Sequence, residues 1–161
     1  MQVRSSFGVH RQIFFASIGN VDTHSGQLAL HSSLLTQTSS AISAFYQATQ
    51  ELGIAGQGTT FTMSDFSRAF QPNSNTESDH GWSGHHIVVG GAVRGAKLYG
   101  NFTTLALSGP DDSGTNGRWI PSTGVVQYAT TLASWFGVSA SQLGAIFPGL
   151  GRFNSTNLGF V

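Results

Sequence analysis

Ile13-Phe14-Phe15-Ala16-Ser17-Ile18, running on into Gly19-Asn20-Val21-Asp22-Thr23-His24, is the stretch on which the fold turns. The first six residues are an apolar and aromatic run of strand length with no polar alternation. Such a run is expected of a central strand buried on both faces. Gly19-Asn20 can then turn the backbone, which would leave Asp22 and His24 just beyond a strand end. In α/β sheets that edge is where ligand and catalytic groups gather.

Downstream the period changes. His31, Leu35, Thr38, Ile42, Phe45, Thr49 and Leu52 recur at three- and four-residue steps, the stripe of a helix laid on a sheet, and Gly53 ends it. Thr59 to Met63 then reads as a second strand. Strand, helix and strand make a βαβ unit with parallel strands, so the expected fold class is α/β, a partial doubly wound and mainly parallel sheet with flanking helices. Residues 66–86 and 108–118 read as long polar surface loops. His86 to Gly91 predicts a third strand, and residues 93–100 a strand or hairpin around Gly95. Pro121-Ser122-Thr123 opens a helix with an apolar face of Val125, Ala129, Leu132, Ala133 and Phe136, stopped by Gly137.

The chain has 161 residues, seven basic and seven acidic, with no cysteine and 21 glycines. A balanced charge without a basic tract argues against nucleic acid as a partner. Thiolate chemistry and iron–sulfur sites are excluded. No window has the roughly 20 apolar residues of a membrane span, so no transmembrane segment is expected. With only 9% charged residues, electrostatic protection against self-association is weak, and a homo-oligomer is expected.

The carboxylates and imidazoles cluster at the predicted strand ends. Asp22 and His24 are alternate residues and, in extended chain, share one side. Asp65 follows the second strand and is expected on the same sheet edge. Asp79-His80-Gly81-Trp82-Ser83-Gly84-His85-His86 is the densest group; adjacent His85 and His86 diverge in a strand, so at most one faces a ligand. Carboxylate oxygen with imidazole nitrogen suits zinc first, or manganese or iron, whereas calcium and magnesium want more oxygen ligands. Arg68 offers a fork for a phosphate or sulfate, or pairs with Asp65 or Asp79. Neither GxSxG nor GxxxxGK[ST] occurs, so metal-assisted hydrolysis is the most natural enzymatic class. Each group also has a plain reading: turn capping by Asp22 or Asp65, a hydrogen-bonded His31 on the helix stripe, and a loop packed by Trp82.

The motifs RQIFFASIGNVDTH (11–24), AFYQATQELG (44–53), TTFTMSDFSRAF (59–70) and DHGWSGHHIVVGGAVRGAKLYG (79–100) form one series. With GRWIPSTGVVQYATTLASWFGV (117–138) and IFPGLGRFNSTNLGF (146–160), they resemble the C-terminal half of the bacterial family called domain of unknown function 1501, a relative of the alkaline phosphatase and sulfatase superfamily. The resemblance implies that residues 1–161 form the C-terminal portion of an alkaline-phosphatase-like α/β domain. It further implies metal ligands at Asp22, His24, Asp65 and His80, a phosphate or sulfate ester as ligand, and a complementary N-terminal chain that supplies the nucleophile. A periplasmic or extracellular location follows from the same likeness. Asn20-Val21, Ser67, Ala69 and Val126 depart from the usual family pattern. Two functions stand at this point: a metal-dependent hydrolase-like domain, and a non-catalytic structural or assembly subunit derived from it.

Overall fold

The computed structural model describes every residue except Gln2. A long helix α1 (Gln27–Glu51) comes first, followed by four short strands: β1 (Thr59–Phe61), β2 (Ser67–Pro72), β3 (Ser78–Gly81) and β4 (Val88–Gly90). Two helices follow, α2 (Val125–Phe136) and α3 (Ala140–Ile146), and then a 3-10 turn at Leu150–Arg152 and an irregular tail. The strands form two separate antiparallel pairs, β1 with β4 and β2 with β3.

The expected doubly wound, mainly parallel, alkaline-phosphatase-like sheet is therefore not formed. Residues 9–21 run without turn, bend or strand pairing, and Ile13, Phe14 and Phe15 are 79%, 62% and 91% exposed. Among the described residues nothing pairs with the strand expected at 12–18, so α1 joins no parallel neighbours. The chain between β1 and β4 contains a hairpin rather than a crossover helix, and β4 returns antiparallel to β1.

That hairpin lies in 66–86, expected as loop. Asn73 organises its turn: the side-chain oxygen accepts the amides of Asn75 at 3.0 Å and Glu77 at 3.2 Å. Gly81 is required by the close strand approach, since a Cβ there would lie 2.9 Å from the Arg68 carbonyl group. Residues 108–118 are turns and bends, and they back β2 through the amides of Phe70 and Gln71. The Asp112 carboxylate gathers that loop by accepting the amides of Ser108, Gly114, Gly117 and Arg118. Residues 93–100 hold neither strand nor hairpin.

Both long predicted helices form. In α1 the partly buried His31, Thr38, Ile42 and Phe45 and the buried Thr49 follow the expected stripe, buried Leu34 lies beside it in place of Leu35, and Leu35 and Leu52 face solvent. α2 ends at Gly137 with φ +103°, a left-handed residue suited to glycine. Its buried side differs from the expected one. Val125 is exposed, and Tyr128 and Leu132 pack with Phe160, which is 2% exposed, to make the core cluster with Val88, Tyr99, Leu158 and Val161 around it. Thr130 and Thr131, fully buried, bond the carbonyl of Thr156 and the amide of Leu158, fastening residues 156–160 to α2.

Candidate metal centre

Thr23 decides where Asp22 and His24 point. It is 3% exposed, its amide donates to the Val21 carbonyl at 2.9 Å, and its hydroxyl lies 3.2 Å from His31 Nε2 on α1. The same imidazole nitrogen lies 3.2 Å from the Val21 carbonyl. With Thr23 anchored inward, the residues on either side of it are exposed. His31, expected as a hydrogen-bonded helix histidine, makes these bonds and is the anchor.

The opposing half comes from the hairpin. Arg68 on β2 and His80 on β3 are directly paired residues, so their side chains share one face. Both reach Asp22 Oδ1: Arg68 Nη2 at 2.8 Å and His80 Nε2 at 3.0 Å, with His24 Nε2 also at 3.0 Å. Phe66 stacks beneath His80 at 3.9 Å between centroids and lies 5.7 Å below the Arg68 guanidinium. Gln27, in the first turn of α1, bonds both the amide and the hydroxyl of Ser78, which fixes the hairpin against the helix start.

The ligand atoms of Asp22, His24 and His80 all lie within 4.8 Å of one another. Tetrahedral zinc with bonds of about 2.0–2.1 Å separates its ligands by roughly 3.3 Å, so the two 3.0 Å contacts are close to what an ion needs. One oxygen and two nitrogens suit zinc, or manganese, better than calcium or magnesium. The three side chains are about half exposed, so an ion held by them would stay accessible to solvent and to a further ligand. Burial pushes the Asp22 carboxyl up. The His80 hydrogen bond and the charges of His24, His80 and Arg68 outweigh it and hold the group below its ordinary 3.8. The carboxylate is ionised at neutral pH and ready to bind a cation.

Arg68 is largely engaged within the protein. Nη1 donates to the Ser78 carbonyl at 2.9 Å, and Nη2 is shared between Asp22 and the Val21 carbonyl. Asp65 sits in the bend between β1 and β2, exposed and outside the ligand group. Asp79 accepts from Asn73 at 3.0 Å and pairs with Arg118 at 3.4 Å. His85 stacks on Phe102 and His86 on Tyr128. Burial, then the neighbouring His85, lowers the His86 pKa below 6.5, as suits a neutral packed ring. The structure thus unites Asp22, His24, His80 and Arg68 and leaves Asp65, Asp79, His85 and His86 elsewhere. Thr23, Gln27 and Phe66 support the site, and no sequence signal marks them for that part.

A family model described as protein of unknown function, DUF1501, matches residues 6–116, and the chain belongs to that family. The matched span includes all four clustered residues. No curated protein and no solved structure matches the chain.

Proposed function

We propose that Asp22, His24 and His80 hold a divalent ion, zinc first, and that the centre serves to bind and hydrolyse a phosphate or sulfate ester. The observation that carries the metal reading is the convergence of two imidazole nitrogens, from His24 and the distant His80, on the exposed Asp22 carboxylate. The ester class rests on the motif resemblance and on the cation beside the ligands; a periplasmic or outer-surface location rests on the resemblance alone. A bound divalent ion would supply positive charge to polarise a phosphoryl or sulfuryl oxygen.

The chain's own residues have separable tasks in this reading. Asp22 contributes the anionic ligand and His24 and His80 the neutral donors. Arg68 orients Asp22 and adds to the larger effects of His80 and His24 that hold it ionised, and an arriving ester oxygen would compete with Asp22 for its Nη2 protons. Phe66 holds the His80 ring by stacking.

Zinc titration by calorimetry, with metal analysis of the purified protein, tests the centre. About one ion per chain is expected, lost in Asp22→Ala and His80→Ala. Less than about 0.1 ion per chain with no rebinding overturns the reading. Turnover of p-nitrophenyl phosphate and p-nitrophenyl sulfate by the zinc-loaded chain tests the hydrolytic half separately. The second reading, a non-catalytic assembly subunit, is favoured by one observation, the uncovered apolar run at 13–18.

A further inference from the structure

We infer that Asn116 is a self-modifying residue: attack by the Gly117 amide converts its side chain to aspartate or isoaspartate, and the Asp112 carboxylate holds that reaction back in the folded chain. The inference is independent of the metal centre.

Asn116 alone among the chain's asparagines is followed by glycine, whose amide nitrogen has no side chain beside it to hinder attack. The fold does not let that glycine go. Gly117 lies at φ +70°, and a Cβ there would stand 2.5 Å from Cβ of Phe70 and 2.9 Å from the Trp119 ring. Exchanging Gly117 is thus closed as a way to silence the pair, and protection has to come from conformation.

The electrophile is primed. The Thr115 hydroxyl donates to Asn116 Oδ1 at 3.2 Å, a contact that draws electrons from Cγ and would steady the oxyanion formed there. The nucleophile is the guarded partner. The Gly117 amide donates to Asp112 Oδ2 at 3.0 Å, so the proton that must leave is held, and the adjacent negative charge opposes an amide anion. The carbonyls of Asn116 and Gly117 accept the Gln71 and Phe70 amides, each at 3.0 Å. The peptide units on either side of Gly117 are thereby fixed to β2, and bringing its nitrogen to Cγ requires the loop to open.

On opening, the Gly117 nitrogen gives its proton to solvent and bonds to Asn116 Cγ. The Cγ–Nδ2 bond breaks, and Nδ2 takes up a proton and leaves as ammonia. Water then opens the cyclic imide. Addition at Cγ gives aspartate, and addition at the main-chain carbonyl gives isoaspartate, with the chain rerouted through Cβ. Nothing is oxidised or reduced. Either product carries a new negative charge, and isoaspartate also displaces the carbonyl that holds Gln71, so an opening of loop 108–118 that reacts leaves a permanent mark.

Peptide mass mapping of the full chain after incubation at mildly alkaline pH, with isoaspartate quantified, tests this. The folded parent should react at Asn116 at least about tenfold more slowly than the same chain in urea. Asp112→Ala should react at least about tenfold faster than the folded parent with far-UV circular dichroism unchanged, because hydrogen bonds to a charged acceptor are lost. Asp112→Asn keeps an acceptor oxygen without the charge; its rate should fall between the two, and it decides the matter if Asp112→Ala does not fold. Asn116→Gln should remove the signal. Equal rates in the folded and urea-treated parent overturn the inference. So does a folded Asp112 variant that reacts no faster than the parent, since the carboxylate would then be no guard. Modification at other asparagines while Asn116 stays intact in urea overturns it equally.

Discussion

Thr23 makes a ligand pair out of two ordinary surface residues. Its burial turns Asp22 and His24 outward, and Asp22 then meets Arg68 and His80 from the hairpin. Asp22→Asn keeps the shape and removes the charge, so zinc affinity measured by calorimetry should fall at least about tenfold with the fold retained. His86 gives a different test. Its folded-state pKa lies below 6.5, so the unfolded chain binds more protons between the two values. The stability it contributes is complete above pH 6.5 and is lost as pH falls through the depressed value. Thermal melts between pH 7.5 and 5 should show a decline in the parent chain that His86→Gln flattens. Asp22, His24 and His80 were readable because they are chemically unusual in a chain so poor in charge. Their convergence with Arg68 was not readable, because it depends on the β2–β3 register. Asp65 was expected beside Asp22 only because both seemed to end parallel strands, and those strands do not pair.

The elements divide by how local their causes are. α1 and α2 were legible since a 3.6-residue period needs no partner to be seen, and Gly53 and Gly137 mark the stops. The hairpin was hidden: Ser67–Pro72 and Ser78–Gly81 are polar and lack strict alternation, because much of their surface faces water. Gly81→Ala would thrust a Cβ into the Arg68 carbonyl. Denaturant unfolding should show a loss of about 1–3 kcal/mol, and zinc affinity should drop with it, since Arg68 and His80 depend on that pairing. The loop 108–118 depends on one carboxylate. Burial raises the Asp112 pKa, but the amides of Ser108, Gly117, Gly114 and Arg118 together bring it below 3.8. The loop should keep its order until the pH falls below 3.8 and loosen as Asp112 takes up its proton. Hydrogen exchange at the four amides should be faster in Asp112→Ala at neutral pH, with little change elsewhere.

At the scale of the molecule the core is small and centred on Phe160, Tyr128 and Leu132. Phe160→Ala removes the most buried aromatic, and a loss of about 3–5 kcal/mol is expected in denaturant unfolding. Against a typical total of about 5–15 kcal/mol, that is a large fraction of the stability. The apolar run at 13–18 reads as a strand buried on both faces, and among the described residues nothing covers it; composition marks a stretch as apolar without saying what packs on it. A stretch like Gln12–Ile18, left open, presents chaperones and proteases with the same features as unfolded chain. Limited proteolysis of the folded chain should therefore cut within 12–18 before it cuts α1 or α2, read by mass spectrometry of the first fragments.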